Sequence, residues 1–110
     1  MNVSFEEIGR MAVTFAQSGC EGGKVCKVSA NGTVAPCADG DKFCGIVEGV
    51  RGGFAGVQVA GFARVSVTGE LDVGYVNLCA DGSGGVKAGT GREYLVVSLD
   101  EAAHTAIIML

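Results

Sequence analysis

Nineteen glycines, spread between short apolar runs, constrain this 110-residue chain more than any other feature. The usual glycine share is ~7%. Inside a helix glycine costs about 1 kcal/mol relative to alanine, whereas at positive φ in turns and bulges it is the preferred residue. Glycines that punctuate apolar stretches of four to eight residues therefore predict an all-β chain with many tight turns. With one proline and no three-residue period, the glycines do not belong to a collagen helix. The length is that of one domain. The expected fold is a small glycine-rich β-barrel or β-sandwich with short hairpins, residues 10–110 forming one barrel domain behind an arm over 1–9.

The arm opens with Ser4-Phe5-Glu6-Glu7, where serine followed three residues later by glutamate fits a helix capping box. Phe5 and Ile8 share one face of such a turn. Met11, Val13 and Phe15 then alternate with Ala12, Thr14 and Ala16, a period of two that predicts a strand over 10–17. Asn31-Gly32 lies between Val25–Val28 and Thr33–Ala35. That pair is the strongest short-range hairpin signal, read here as a turn with both residues at positive φ. Pro36 lacks an N–H and belongs at a strand end. Further strands are expected at 43–47, at 57–67 on both sides of a bulge at Gly61, at 75–79, 86–88, 94–99 and 105–110. Residues 100–104 are long enough for one helical turn. A loose internal echo is present: Gly23 to Val34 and Gly74 to Val86 each read glycine, strand, Asx-Gly turn, strand, and each precedes another hydrophobic strand. This is the pattern of two similar halves.

Charged residues make up only 18% against hydrophobic residues at 48%, so a surface short of charge is expected to present apolar area to a partner. The net charge is −4, and with no basic stripe direct nucleic-acid binding is not expected. No apolar stretch approaches the ~18 residues of a membrane span, and no signal peptide is read at the N-terminus. The five cysteines, 20, 26, 37, 44 and 79, show no CxxC spacing. They are expected to be mostly small buried hydrophobes in a reducing compartment, a secreted disulfide scaffold being the alternative.

Catalytic signatures are missing: no GxSxG, HExxH, DxDxDG or GxxxxGK[ST] occurs, and no enzyme, cofactor or metal site is expected. The loop Asp81–Gly85 is glycine-rich, but Val86 after it reads as strand rather than the helix a phosphate cradle needs. His104, beside Asp100 and Glu101, is the one histidine, the side-chain type whose ordinary pKa lies near neutrality, and it is expected to be solvated. Cys44 and Cys79 lack a basic neighbour in sequence and are read as core. Asp39 and Asp41 are read as turn formers, with calcium the less favoured reading.

From Gly23 onward the order of signals resembles that of small tailed-phage and prophage capsid decoration (head-stabilising) proteins. The residues that carry it are Gly23-Lys24-Val25, Asn31-Gly32-Thr33-Val34, Cys44 to Gly49, Val57 to Phe62, Leu71-Asp72-Val73-Gly74 and Val86-Lys87. About four-fifths of the chain is covered. Tyr75 after Gly74, and the five cysteines, depart from the pattern. The resemblance implies a β-barrel or β-tulip subunit, a homo-oligomer (a trimer favoured) on the outside of a virion capsid, or in a bacterial cytoplasm carrying a prophage. Its partner would be the major capsid protein. It further implies an N-terminal arm that docks on the shell, with Val3, Phe5 and Ile8 as the contact residues. The competing reading is a biotinyl- or lipoyl-like carrier module, or another small β-barrel binding domain. A carrier needs a lysine on a hairpin tip, and Asp41-Lys42 is the candidate.

Overall fold

The computed structural model describes residues 11–110, and the capping box at Ser4 and the arm residues Val3, Phe5 and Ile8 lie outside them. The described residues contain no helix; they form ten strands. These are β1 (Met11–Gln17), β2 (Val25–Ala30), β3 (Thr33–Pro36), β4 (Gly45–Arg51), β5 (Phe54–Ala60), β6 (Phe62–Ser66), β7 (Gly74–Ala80), β8 (Val86–Ala88), β9 (Arg92–Asp100) and β10 (Thr105–Met109). The first five close into a barrel in the order β1-β3-β2-β4-β5, and the last five form a second sheet in the order β6-β10-β9-β7-β8.

The two halves pair their strands identically. In the first, β1 runs parallel to β3 and antiparallel to β5, β2 joins β3 and β4, and β4 joins β5. In the second, β7 joins β8 and β9, and β10 joins β9 and β6. The remaining parallel contact has its counterpart in a bridge between Val67, just past β6, and Val86 of β8. The echo between Gly23–Val34 and Gly74–Val86 is thus the trace of one five-strand pattern used twice.

Local chemistry explains the strand ends. The Asn31-Gly32 hairpin forms, with Gly32 at φ 66. Asn31, expected at positive φ too, is not: His104 is the one non-glycine described residue found there. A register shift between Val28 and Ala30 supplies the twist instead, the usual effect of a bulge. β4 starts at Gly45, two residues later than expected, because Phe43 turns its carbonyl to the Tyr94 hydroxyl at 3.0 Å. Residues 101–104 make a turn without a helix, held by Asp100 Oδ1, which accepts the Ala103 N–H at 3.1 Å.

Two cores result. Cys20, Cys26, Val34, Val47, Ala55 and Val57 fill the barrel, with Phe15, Cys44 and Val59 against them. Val25, Cys37, Phe43 and Ile46, from the first half, pack on Val65, Leu78, Val86, Tyr94, Val96 and Ile108 of the second sheet. Between the halves the chain turns at Gly61, φ 90. There the buried Gln58 Nε2 donates to the carbonyls of Ala60 at 3.1 Å and Phe62 at 2.7 Å. Unpaired buried backbone carbonyls are costly, so this side chain secures the crossing.

Candidate functional site

Alternation along a strand sends successive side chains to opposite faces. In the second sheet Tyr94, Val96 and Ile108 point to the core, which leaves their neighbours on the outer face. A single cross-strand row results: Tyr75 opposes Leu95, Leu95 opposes Met109, and Met109 opposes Phe62. Tyr75 is 68% exposed and Met109 41%, with Leu95 and Phe62 half-buried. Val73, one residue before β7, is 63% exposed. Apolar side chains lined up across four strands make a contiguous surface rather than the scattered exposure common on any protein. At the β4–β5 hairpin a second, smaller surface has Phe54, 60% exposed, beside Val50.

A cleft of about 470 Å³ opens between the end of β9, the turn after it and the segment after β6. Its polar lining is Glu70, Asp72, Asp100, Glu101, Thr105 and His104. His104 is exposed at φ 54, and its carbonyl accepts the Val67 N–H at 2.8 Å.

The remaining candidates take structural parts. Asp81 Oδ1 accepts the N–H groups of Ser83 at 2.7 Å and Gly85 at 3.0 Å, and its Oδ2 accepts the Thr68 hydroxyl at 2.7 Å. The loop's own carboxylate therefore occupies the amides that a phosphate would use. Burial pushes the Asp81 carboxyl up, but these hydrogen bonds outweigh it and hold it below its ordinary value. Asp41 accepts the Ala38 N–H at 2.9 Å and pairs with Lys27 at 2.6 Å; Asp39 pairs with Lys87. Both are turn residues with their own cation. Lys42 is exposed in the extended stretch after that turn, not at the tip of a two-strand hairpin.

Cys79 is buried in β7. Cys20, Cys26 and Cys37 are buried as well, as expected of small core residues; Cys20 and Cys26 belong to the barrel core and Cys44 packs against it. Cys44 is half-exposed rather than fully buried. Accepting the Cys26 hydrogen bond brings its thiol down to about 7, against the opposing effect of burial. The hairpin register, which sets Cys26 opposite Pro36 and so near Cys37, was the one available hint of this clustering. Nothing in the spacing points to Cys44. Among the described residues no three His, Cys, Asp or Glu side chains are arranged to hold a metal ion, and no helix is long and apolar enough to cross a membrane.

No protein-family model matches the chain, and the search of curated proteins yields no match.

Proposed function

We propose that this chain is a structural protein of the capsid-decoration type, which attaches to the outside of an assembled phage or prophage head and reinforces it. The observation that supports this reading best is the apolar row Tyr75–Leu95–Met109–Phe62 on the outer face of the second sheet. A lattice-binding subunit needs apolar contact area and repetition, and repeated weak contacts add up through multivalency. The residues that carry the family resemblance also fall at the points that set the fold. Gly23-Lys24-Val25 leads into β2, Asn31-Gly32 turns it into β3, and Leu71 to Gly74 leads into β7. On this reading Val3, Phe5 and Ile8 add an arm contact with the major capsid protein, and the subunit assembles as a trimer.

Co-sedimentation with mature shells of a related phage or prophage tests the proposal. Wild-type protein is expected to pellet with the shells, and the Tyr75→Asp/Met109→Asp variant to stay in the supernatant with an unchanged circular dichroism spectrum. Wild-type protein that stays in solution, or a variant that pellets equally well, would overturn it.

A further inference from the structure

Two thiols meet where β2 passes the segment entering β4. Gly45 stands opposite Cys26 in the ladder, and the Cys44 N–H donates to the Cys26 carbonyl at 2.9 Å. With ordinary backbone dimensions that bond keeps the two Cα atoms within about 7 Å. Disulfides span ~4.4–6.8 Å between Cα atoms. The Cys26 thiol donates to the Gly45 carbonyl at 3.8 Å, which sets its sulfur beside the residue that follows Cys44, and Cys44 packs against the core that contains Cys26. Access separates their roles: Cys26 is fully buried, while Cys44 reaches the surface.

We infer that Cys44 and Cys26 form a peroxide-responsive dithiol, in which Cys44 meets the oxidant and Cys26 closes an intrachain disulfide. In the first step the Cys44 thiolate attacks the peroxide; an S–O bond forms and the O–O bond breaks. Sulfur gives up two electrons, and the departing oxygen takes a proton to leave as water or alcohol. In the second step the Cys26 sulfur attacks the Cys44 sulfenic acid. The S–S bond forms, the S–O bond breaks, and hydroxide leaves with the Cys26 proton as water. One peroxide is consumed and two thiols become one disulfide, the ordinary first rungs of cysteine oxidation. The hydrogen bond from Cys26 favours the thiolate on Cys44, which suits the attacking role. The product would reinforce a thin seam, since β2 and β4 share only the pairs Val25–Ile46 and Cys26–Gly45.

The inference stands apart from the capsid reading and is tested on the folded wild-type protein. One equivalent of hydrogen peroxide at pH 7, followed by alkylation, digestion and mass spectrometry, is expected to show loss of two hydrogens and a Cys26–Cys44 linked peptide. Before oxidation, iodoacetamide is expected to label Cys44 at least ~10-fold faster than the other four thiols, because it reaches the surface and its thiol is brought down to about 7. In Cys26→Ser, dimedone should trap a sulfenic acid on Cys44. A disulfide joining any other pair, five thiols surviving the peroxide, or Cys44 labelling no faster than the rest would each overturn it. The wild-type measurements decide the matter if Cys26→Ser fails to fold.

Discussion

The Tyr94 hydroxyl donates a hydrogen bond to the Phe43 carbonyl at 3.0 Å while the two rings stack with centroids 4.8 Å apart and planes 7° from parallel. Fifty-one residues separate them in sequence. The pair fastens β9 of the second sheet to the segment that enters β4 of the barrel, and the Arg92 guanidinium lies over the tyrosine ring, 5.0 Å from its centroid.

Tyr94→Phe keeps the stack and deletes only the hydrogen bond. The Phe43 carbonyl is then left without this donor in a buried site, and a loss of about 1–2 kcal/mol is expected. Tyr94→Ala removes the ring as well and should cost about 3–5 kcal/mol. Urea midpoints at constant m-value measure both. Equal losses for the two variants would mean that the ring contributes nothing.

Gly45→Ala is expected to destabilise by about 1–3 kcal/mol, as overpacking does. A Cβ there would collide with the Gln58 carbonyl oxygen and lie 2.8 Å from Val57 Cγ1. The obstacle is partly backbone, so side-chain rotation alone cannot relieve it. Gly53→Ala, with nothing within 4 Å of the new Cβ and no positive φ, serves as the control and should change the midpoint little.

Asp81 links pH to stability. Its carboxyl is held below the ordinary value in the folded protein, so its contribution is complete above about pH 4, where the unfolded group is ionised. That contribution is lost as pH falls through the depressed folded value. Asp81→Ala should therefore cost about 1–2 kcal/mol at pH 7, toward the lower end because the residue is partly solvated. The gap between wild type and variant should narrow as pH drops below about 4. Denaturant titrations at pH 7 and at pH 3 test this. A gap that widens on acidification would refute it.

His104 holds φ 54 on an exposed turn, a region that strains any side chain with a Cβ. The contact the turn makes with Val67 uses the His104 backbone carbonyl and survives substitution. His104→Gly is expected to raise stability by about 0.5–1 kcal/mol, part of the gain being offset by the greater freedom of glycine when unfolded. A lower thermal midpoint for the variant would show that the imidazole itself is needed.

Strand positions were readable because they depend on neighbours a few residues apart. The alternation at Met11–Gln17, the Asn31-Gly32 hairpin and Pro36 at the end of β3 all appear where local pattern put them, whereas the bulge expected at Gly61 is the crossing from β5 of the barrel to β6 of the second sheet. Partnering was not readable, because it depends on long-range closure. No periodicity says that β1 pairs with both β3 and β5, or that the barrel takes five strands and leaves five for a second sheet. The duplicated wiring was legible only as the glycine–strand–Asx-Gly echo. The apolar outer row escaped notice for a related reason. Tyr75, Leu95, Met109 and Phe62 sit on four strands, and only the register brings them side by side. The same holds for Cys26 and Cys44, which the β2–β4 ladder brings together.

One consequence of the parallel contact between β1 and β3 concerns synthesis. Of the ten strands described, β1 leaves the ribosome first, yet both its partners follow it: β3 by way of β2, and β5 only after β4 has been made. During translation the edge of β1 that pairs with β5 stays open until Ala60 has emerged. The first half of the nascent chain thus carries an unsealed strand that could pair with a neighbouring copy, and slow translation before β5 would lengthen that exposure.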